Sequence, residues 1–177
     1  MEKIIIVVDM QNDFINGSLG TPEAQAIVPK MAKMLNEIED NVTVIFTKDT
    51  HYNDYLNTPE GKKLPVPHCI KDTEGWNIPD ELTAPFCYSP LVIEKPTFGS
   101  LELMDYIKDI ANDYNWDVEL QFCGLCTDIC VVSNVLAAKM FFPDVKISVL
   151  ADMCAGVTPE KHEAALETMR SCQIEVI

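Results

Sequence analysis

Two groups of side chains in this 177-residue sequence have the types and spacing that catalysis requires. The first contains Cys130, at the opening of an expected helix, with Asp9 and Lys95 at the ends of expected strands. A helix N-terminus and a nearby ammonium group both favour the thiolate, which is the nucleophilic form of cysteine. Asp9 could take the thiol proton and return it to a leaving amine or alcohol. A free cysteine considered alone is more often a small buried apolar side chain, so the hypothesis depends on these partners.

The second group has the composition of a metal site. Asp49 and His51 are two residues apart, and His68 follows in the same polar stretch. Carboxylate oxygens and imidazole nitrogens suit a divalent ion such as zinc, manganese or iron. Any loop can carry two histidines, so the pattern alone is weak.

Strands and helices alternate along the chain and must position these groups. The continuous β-branched run from Ile4 to Val8 is typical of a strand buried on both faces of a parallel sheet. Apolar residues at helical spacing predict a helix from Ala24 to Ile38. Further strands are expected at 42–46, 91–93, 118–123, 145–150 and 174–177, and further helices at 100–111, at 127–140 and after Thr158. The predicted fold class is a single-domain, three-layer α/β/α Rossmann-like fold over residues 1–177, with a six-stranded parallel sheet flanked by helices.

A long polar insertion, residues 48–89, interrupts this alternation and carries the metal-site candidates. Loops of that length without clear periodicity are usually functional. Ligands of open α/β sheets bind outside the carboxyl ends of the strands. Both groups of side chains are therefore expected at one rim of the sheet.

Composition limits the possible partners. Thirteen Lys+Arg against twenty-eight Asp+Glu give a net charge of −15, which disfavours nucleic acid and anionic membranes because both bind through Lys and Arg. No apolar run approaches the ~20 residues that cross a bilayer, and no signal peptide is visible. Seven cysteines, an odd number, fit free thiols in a reducing compartment. We expect a soluble cytoplasmic protein in which Cys69, Cys87, Cys154 and Cys172 are packing or incidental residues.

Three segments together resemble one known family. They are VDMQNDF at 8–14, EKPTFGS at 94–100 and GLCTDICV at 124–131. These resemble, in the same order, the opening, lysine and nucleophile segments of the isochorismatase-like cysteine hydrolases, which include nicotinamidases. The resemblance covers essentially the whole chain and agrees with its β/α order.

The resemblance implies a catalytic triad of Asp9, Lys95 and Cys130. Cys130 would attack a carbonyl carbon and form a thioester that water cleaves. Asp9 would act as general base and acid, and Lys95 would hold both partners in their charged forms. A cis peptide bond between Leu125 and Cys126 is also implied, which would aim the backbone N–H of Cys126, beside that of Cys130, into an oxyanion hole.

The resemblance also implies one divalent metal ion, with zinc expected and manganese or iron as alternatives. Nicotinamidases have an Asp–x–His motif after the second strand and a later histidine followed by cysteine, which Asp49, His51 and His68 match. Glu60 would be a fourth ligand, as in some relatives. Isochorismatases proper generally lack this set, so it favours the amidase branch. Many relatives are dimers or larger assemblies, and a homo-oligomer is expected.

Two departures from the nicotinamidase pattern concern the substrate. Pro65 stands where a tryptophan usually stacks on the pyridine ring, and the lysine segment is shorter than usual. Phe14 could still cover one face of a flat ring, and Trp76 could reach over from the insertion. We therefore predict a hydrolase that releases ammonia from a small, nicotinamide-like carboxamide. The alternative within the family is another small substrate, such as a vinyl ether or a ureido compound.

A different class of function rests on other cysteines. Cys123 and Cys126 form a C–x–x–C pair between a strand and a helix, as in thiol redox proteins. With Cys130 they also suggest an iron–sulfur site, although no fourth cysteine has suitable spacing. Neither alternative explains Asp9, Lys95 or the metal-site residues.

Overall fold

A computed structural model describes residues 1–39, 41–86 and 90–177. One sheet contains six strands that are all parallel, in the order β3-β2-β1-β4-β5-β6. The strands are β1 (Glu2–Val8), β2 (Val42–Asp49), β3 (Leu91–Lys95), β4 (Val118–Leu125), β5 (Lys146–Ala155) and β6 (Glu175–Val176). The helices are α1 (Asn12–Ile15), α2 (Pro22–Asn36), α3 (Pro59–Lys63), α4 (Asp80–Thr83), α5 (Leu101–Asp113), α6 (Val132–Phe141) and α7 (Pro159–Ser171). The predicted fold class is confirmed.

The core is centred on β1, which pairs with β2 on one side and β4 on the other. Ile4, Ile6, Val7 and Val8 are fully buried, as the continuous β-branched run predicted. The strand order reverses direction at β1 and β4, which makes this the switch point where ligands of open α/β sheets bind. The chain therefore carries Asp9 and Cys126 to the same crevice.

Helices α2, α5 and α7 begin at side-chain caps that are readable in the sequence. Thr21, Ser100 and Thr158 each accept a hydrogen bond from a backbone N–H in the first turn of α2, α5 and α7. Proline follows two of these caps, Thr21 and Thr158, where its missing N–H costs nothing. Among the described residues, no helix has the length and apolar character needed to cross a membrane.

Two element boundaries differ from expectation in ways that shape the site. Strand β5 continues to Ala155 instead of ending at Leu150, with a register shift opposite 122–124 of β4. The expected helix from Thr127 begins as a π-helical turn, Thr127–Val131, before α6. π-Helical turns occur frequently at functional sites.

The insertion contains structure that its sequence pattern did not predict. Helices α3 and α4 and the 3₁₀ turns Tyr55–Asn57 and Glu74–Trp76 each have five residues or fewer. An element this short shows no hydrophobic periodicity, because it completes little more than one turn. Residues 87–89, with Cys87, lie outside the described part of the insertion.

Candidate active site

Three side chains from separate strands and turns meet at the carboxyl edge of the sheet. Asp9 follows β1, Lys95 ends β3, and Cys130 lies in the π-helical turn after β4. The ammonium Nζ of Lys95 lies 2.6 Å from Asp9 Oδ2 and 3.4 Å from Cys130 Sγ. All three residues are at most 4% exposed. The sequence-predicted triad is thus brought together as one buried cluster.

Burial controls the protonation of this cluster. It raises the pKa of Asp9, while the Lys95 ammonium opposes that shift. Burial acts to lower the pKa of Lys95, but the negative charges of Asp9 and its neighbours outweigh it, so the pKa is raised and the ammonium persists. Burial, with Asp9 next, raises the pKa of the Cys130 thiol well above its usual value. Contrary to the expectation of a resting thiolate, Cys130 is therefore held as a thiol beside Asp9.

Thr47 on β2 fixes the orientation of Asp9. Its hydroxyl donates to Asp9 Oδ1 at 2.7 Å and accepts from the Asp9 N–H at 3.2 Å. The backbone of Asp9 is left-handed, with φ +47°, a conformation that aspartate tolerates better than most residues. The sequence interpretation missed Thr47, although a threonine inside a buried apolar strand was a readable signal.

The four sequence-predicted metal ligands also converge. Asp49 Oδ2 lies 3.0 Å from His51 Nε2 and 3.6 Å from His68 Nε2, and Glu60 Oε1 lies 3.7 Å from both histidine nitrogens. Asp49, His51 and His68 are buried and form a group that could hold a metal ion.

The chemistry of these donor atoms fits a divalent cation. His51 Nε2 is buried without a hydrogen-bond partner among the described residues. His68 Nδ1 donates to the Val66 carbonyl at 2.8 Å, which leaves Nε2 with its lone pair directed to the cluster. Burial acts to raise the pKa of Asp49, but the adjacent His51 and His68 and the charge of Lys95 outweigh it and lower that pKa, so Asp49 stays ionised as a ligand must. Donor separations near 3–4 Å match metal–ligand bonds of about 2 Å.

Two further residues, Gln11 and Asn134, were not assigned by the sequence interpretation and hold parts of these groups in place. Lys95 Nζ is 3.9 Å from Asp49 Oδ1, so the triad and the metal-site residues form one electrostatic unit. Gln11 holds Asp49 in place, because its Oε1 accepts from the Asp49 N–H at 2.7 Å and its Nε2 donates to the Asp49 carbonyl at 2.9 Å. Gln11 lies within the opening motif, which was the available signal.

Asn134 on α6 is the second unassigned residue. It is fully buried, and its amide donates to the carbonyls of Cys130 at 2.8 Å and Phe98 at 3.0 Å. Its Oδ1 accepts from the Ser100 N–H at 2.9 Å. Asn134 therefore ties the turn that bears Cys130 to the segment that follows Lys95.

A cavity of about 520 Å³ opens onto both groups of side chains. Its lining includes Asp49, Glu60, His68, Cys126 and Cys130, and most of the rest is apolar. Phe14 contributes an aromatic ring whose centroid lies 5.5 Å from that of His68. Volumes of this size are typical of small-molecule sites.

Trp76 is not one of the described residues that line this cavity. The ammonium of Lys48 lies 2.8 Å from the Trp76 ring centroid, and the indole N–H donates to Thr50 Oγ1 at 2.9 Å. Cation–π and hydrogen-bond partners thus hold the Trp76 ring outside the described lining of the cavity, and a contact between Trp76 and the substrate stays a prediction.

The segment before Cys130 has the backbone that the resemblance implied. The Leu125–Cys126 peptide bond is cis, and Cys126 is half-buried at the cavity. Gly124 has φ +115°, and a Cβ there would collide with the Val8 backbone. Only glycine therefore lets β4 pass this close to β1.

The redox alternative lacks an accessible pair of thiols. Cys123 and Cys126 are both free. Cys123 is fully buried in β4, where burial raises its pKa and its thiol points at the Ile6 carbonyl. Exchange requires an accessible thiolate, which this environment disfavours. Of the remaining cysteines, Cys69 and Cys154 are buried, Cys172 is half-buried, and Cys87 lies outside the described residues.

Comparison with known proteins agrees with this geometry. Residues 3–177 match the model of the isochorismatase domain. Nicotinamidase/pyrazinamidase of Mycobacterium tuberculosis is 28% identical over 196 residues, with 99% of this chain and 98% of that protein covered. The crystal structure of nicotinamidase/pyrazinamidase from Bacillus subtilis has a TM-score of 0.82 and 28% identity, with 99% of each chain covered. The pyrazinamidase of Pyrococcus horikoshii in complex with zinc has a TM-score of 0.77 and 27% identity, with 100% of this chain and 99% of that chain covered.

The parallel sheet, the buried aspartate–lysine–cysteine cluster and the match over nearly the whole chain place this protein in the isochorismatase family. Within that family it is a hydrolase that acts on amide carbon–nitrogen bonds, as its similarity to the nicotinamidases indicates.

Proposed function

We propose that this enzyme hydrolyses a small, nicotinamide-like carboxamide through a thioester on Cys130 and releases ammonia. The observation that carries the proposal is the position of the Lys95 ammonium, within 2.6 Å of Asp9 and 3.4 Å of Cys130, next to a cavity that is lined by Cys130, Asp49 and His68. A nucleophile, a base and an electrostatic partner are thereby in reach of one bound molecule.

In the acylation half-reaction, Cys130 Sγ attacks the carboxamide carbon while the thiol proton passes to Asp9. The raised pKa of Asp9 suits it to accept this proton and then to return it. The tetrahedral oxyanion would be stabilised by the backbone N–H groups of Cys126 and Cys130. The carbon–nitrogen bond then breaks, and the nitrogen leaves as ammonia with the proton from Asp9.

In the deacylation half-reaction, the oxygen of a water molecule attacks the thioester carbon while Asp9 takes a proton from that water. The carbon–sulfur bond breaks, the carboxylic acid product leaves, and the Cys130 thiol recovers its proton from Asp9. Lys95 keeps its positive charge throughout, which stabilises Asp9 while it is ionised between proton transfers. The cycle returns every group to its starting state.

A divalent ion would be held by Asp49, His51, His68 and Glu60. Zinc is the expected ion, with manganese or iron as alternatives. When bound, such an ion supplies a Lewis acid that orients the substrate and polarises its ring nitrogen or carbonyl group.

The cavity supports a flat, neutral substrate. Phe14 offers a ring face beside His68, and losing the usual stacking tryptophan at Pro65 would cost about 0.5–1.5 kcal/mol of binding without altering the chemistry. The net charge of −15 also repels anionic substrates, whereas it does not slow the approach of a neutral carboxamide.

Ammonia release from nicotinamide and pyrazinamide tests the proposal. The metal-replete enzyme should hydrolyse at least one of them, and Cys130→Ala should abolish turnover while the fold persists. Cys172→Ala is a matched control, since it removes a thiol beyond the end of α7, outside the residues that line the cavity. No release from either amide, with turnover of a vinyl ether or ureido substrate, would contradict the proposed substrate class.

Metal analysis tests the second group of residues. Protein purified without chelator should contain close to one divalent ion per chain, because three buried donor atoms of the types that bind such ions converge. The His51→Ala/His68→Ala double variant should lose that ion, whereas Asp144→Asn, at an exposed acid, should retain it. Unchanged metal content in the double variant would refute the site.

The expected homo-oligomer and cytoplasmic location stay predictions from the sequence and its family resemblance. Size-exclusion chromatography coupled to light scattering would measure the first directly.

A further inference from the structure

The π-helical turn that bears Cys130 is also held by α7 and by the segment that leads into it. Thr127, its first residue, is fully buried, and its Oγ1 shares a hydrogen bond of 2.8 Å with Nδ1 of His162 on α7. The next residue, Asp128, accepts a hydrogen bond from the Val157 N–H at 2.9 Å through its Oδ1. The segment that follows β5 therefore contacts two consecutive residues of the turn.

This contact is tight. A Cβ at Gly156 would lie 2.8 Å from the His162 backbone nitrogen and 2.9 Å from Asp128 Oδ1, so only glycine fits between the two segments. Thr158 caps α7 two residues later and fixes where the helix begins. His162 is consequently held in place by its own helix, with its side chain 18% exposed.

We infer that His162 is a positioning residue, which holds the nucleophile turn through the Thr127 hydroxyl. The inference rests on the proposed function, because it concerns the backbone N–H groups of Cys126 and Cys130 that would stabilise the oxyanion. Asn134 anchors the turn at the Cys130 carbonyl, and His162 anchors it at the opposite end, next to Cys126. Without the second anchor, the two N–H groups lose their fixed separation.

His162 acts on the transition state more than on substrate binding. The described residues that line the cavity include Phe14, His68 and Asp49 but not His162. Loss of an interaction that matters only in the transition state lowers kcat and kcat/KM together and leaves KM nearly unchanged.

Three substitutions separate this role from bulk packing. His162→Ala removes the hydrogen bond. His162→Asn keeps a polar atom near the Nδ1 position, and because an amide can donate or accept, the rescue does not depend on the histidine tautomer. His162→Gln has a similar polar group one methylene further out, near the Nε2 position, where it cannot reach Thr127 in the same way. Lys161→Ala is a control at an exposed neighbour on the same helix.

Steady-state kinetics on the amide turned over by wild type give the first readout. His162→Ala should lower kcat by about 10-fold to 100-fold with KM changed by less than about 3-fold, because small misplacements of catalytic groups carry costs of that order. His162→Asn should restore most of the rate, His162→Gln should not, and Lys161→Ala should match wild type. Equal rates for Asn and Gln, or a normal kcat for Ala, would overturn the inference.

Amide hydrogen exchange gives a readout that needs no substrate. Residues 126–131 should exchange faster in His162→Ala and His162→Gln and at the wild-type rate in His162→Asn, with β1 unchanged in all of them. If wild type hydrolyses no amide, the proposed function fails and this exchange pattern still decides the inference. If His162→Ala does not fold, the Asn and Gln pair carries the comparison, and identical exchange in both would overturn it.

Discussion

At the scale of single residues, the site depends on one buried positive charge. Lys95 contacts Asp9 and Cys130 and approaches Asp49, and it also donates to the Thr97 carbonyl at 3.1 Å. Without Lys95, the carboxylates of Asp9 and Asp49 and the thiol of Cys130 would lie buried near one another, and no other lysine or arginine among the described residues is paired with them. A buried ammonium with these partners is a functional-site feature because it favours the ionised form of each acid around it.

Substituting Lys95 by methionine should remove this charge while keeping most of the side-chain volume. Burial would then raise the pKa values of both Asp9 and Cys130 further, since the ammonium that opposes those shifts is gone. We expect a loss of activity of at least about 100-fold, the scale of general acid–base catalysis. The apparent pKa of Cys130, measured from the pH dependence of its alkylation, should rise, so that alkylation at a fixed pH becomes slower.

Lys108→Met, at an exposed lysine on α5, is the matched control for that experiment. It should leave the alkylation profile and turnover at wild-type values. An unchanged alkylation profile in Lys95→Met would show that the ammonium does not control the thiol.

At the scale of secondary-structure elements, the nucleophile turn and the lysine segment are separate pieces joined by α6. Asn134 makes three hydrogen bonds that span them, to Cys130, Phe98 and Ser100. A buried amide with this many satisfied groups specifies the relative position of the elements that it joins. The distance between Lys95 and Cys130 therefore depends on a residue whose hydrogen bonds go to backbone groups and to neither of these side chains.

Truncation by Asn134→Ala should lower the free energy of unfolding by about 2–4 kcal/mol, because it leaves buried backbone groups without partners. It should also reduce turnover, since the two segments lose their common anchor. Chemical denaturation with fluorescence or circular dichroism measures the first effect, and Asn112→Ala, at an exposed position on α5, should change stability by less than about 0.5 kcal/mol. Equal stability of the two variants would refute the anchoring role.

At the scale of the whole molecule, the dominant property is a net charge of −15 on 177 residues. The folded state brings these charges together, and their mutual repulsion destabilises it. Several exposed acids have cationic partners, such as Glu94 with Lys71 at 2.6 Å and Asp152 with Lys30 at 3.4 Å. Such exposed pairs contribute little individually, so they do not offset the excess.

Raising NaCl from low to near-physiological concentration should therefore stabilise the protein. Screening shortens the Debye length to about 10 Å at 0.1 M, which reduces repulsion more than it weakens the few exposed ion pairs. A gain of about 1 kcal/mol would raise Tm by roughly 2–4 °C for a chain of this size. Thermal unfolding in 10 mM and 150 mM NaCl measures the shift, with perchlorate at equal ionic strength as the control for ion-specific effects. A fall in Tm with salt would contradict this account.

The sequence by itself determined the order of the strands and of the long helices, the fold class and, through the family resemblance, the residues expected in both clusters. Local patterns suffice for the strands and the capped helices, because each is encoded within a few residues, whereas the two clusters also needed the family resemblance. Asp9, Lys95 and Cys130 could be predicted to share a rim because parallel strands present their carboxyl ends on one side.

Only the tertiary structure decided the protonation of Cys130, the place of Trp76 and the contacts of Thr47, Asn134 and His162. Burial raises the thiol pKa against the local preference of a helix N-terminus. Trp76 is held by Lys48 and Thr50, which lie 28 and 26 residues away in the sequence. Contacts over such separations depend on how the whole chain folds back on itself, and no local pattern in the sequence encodes them.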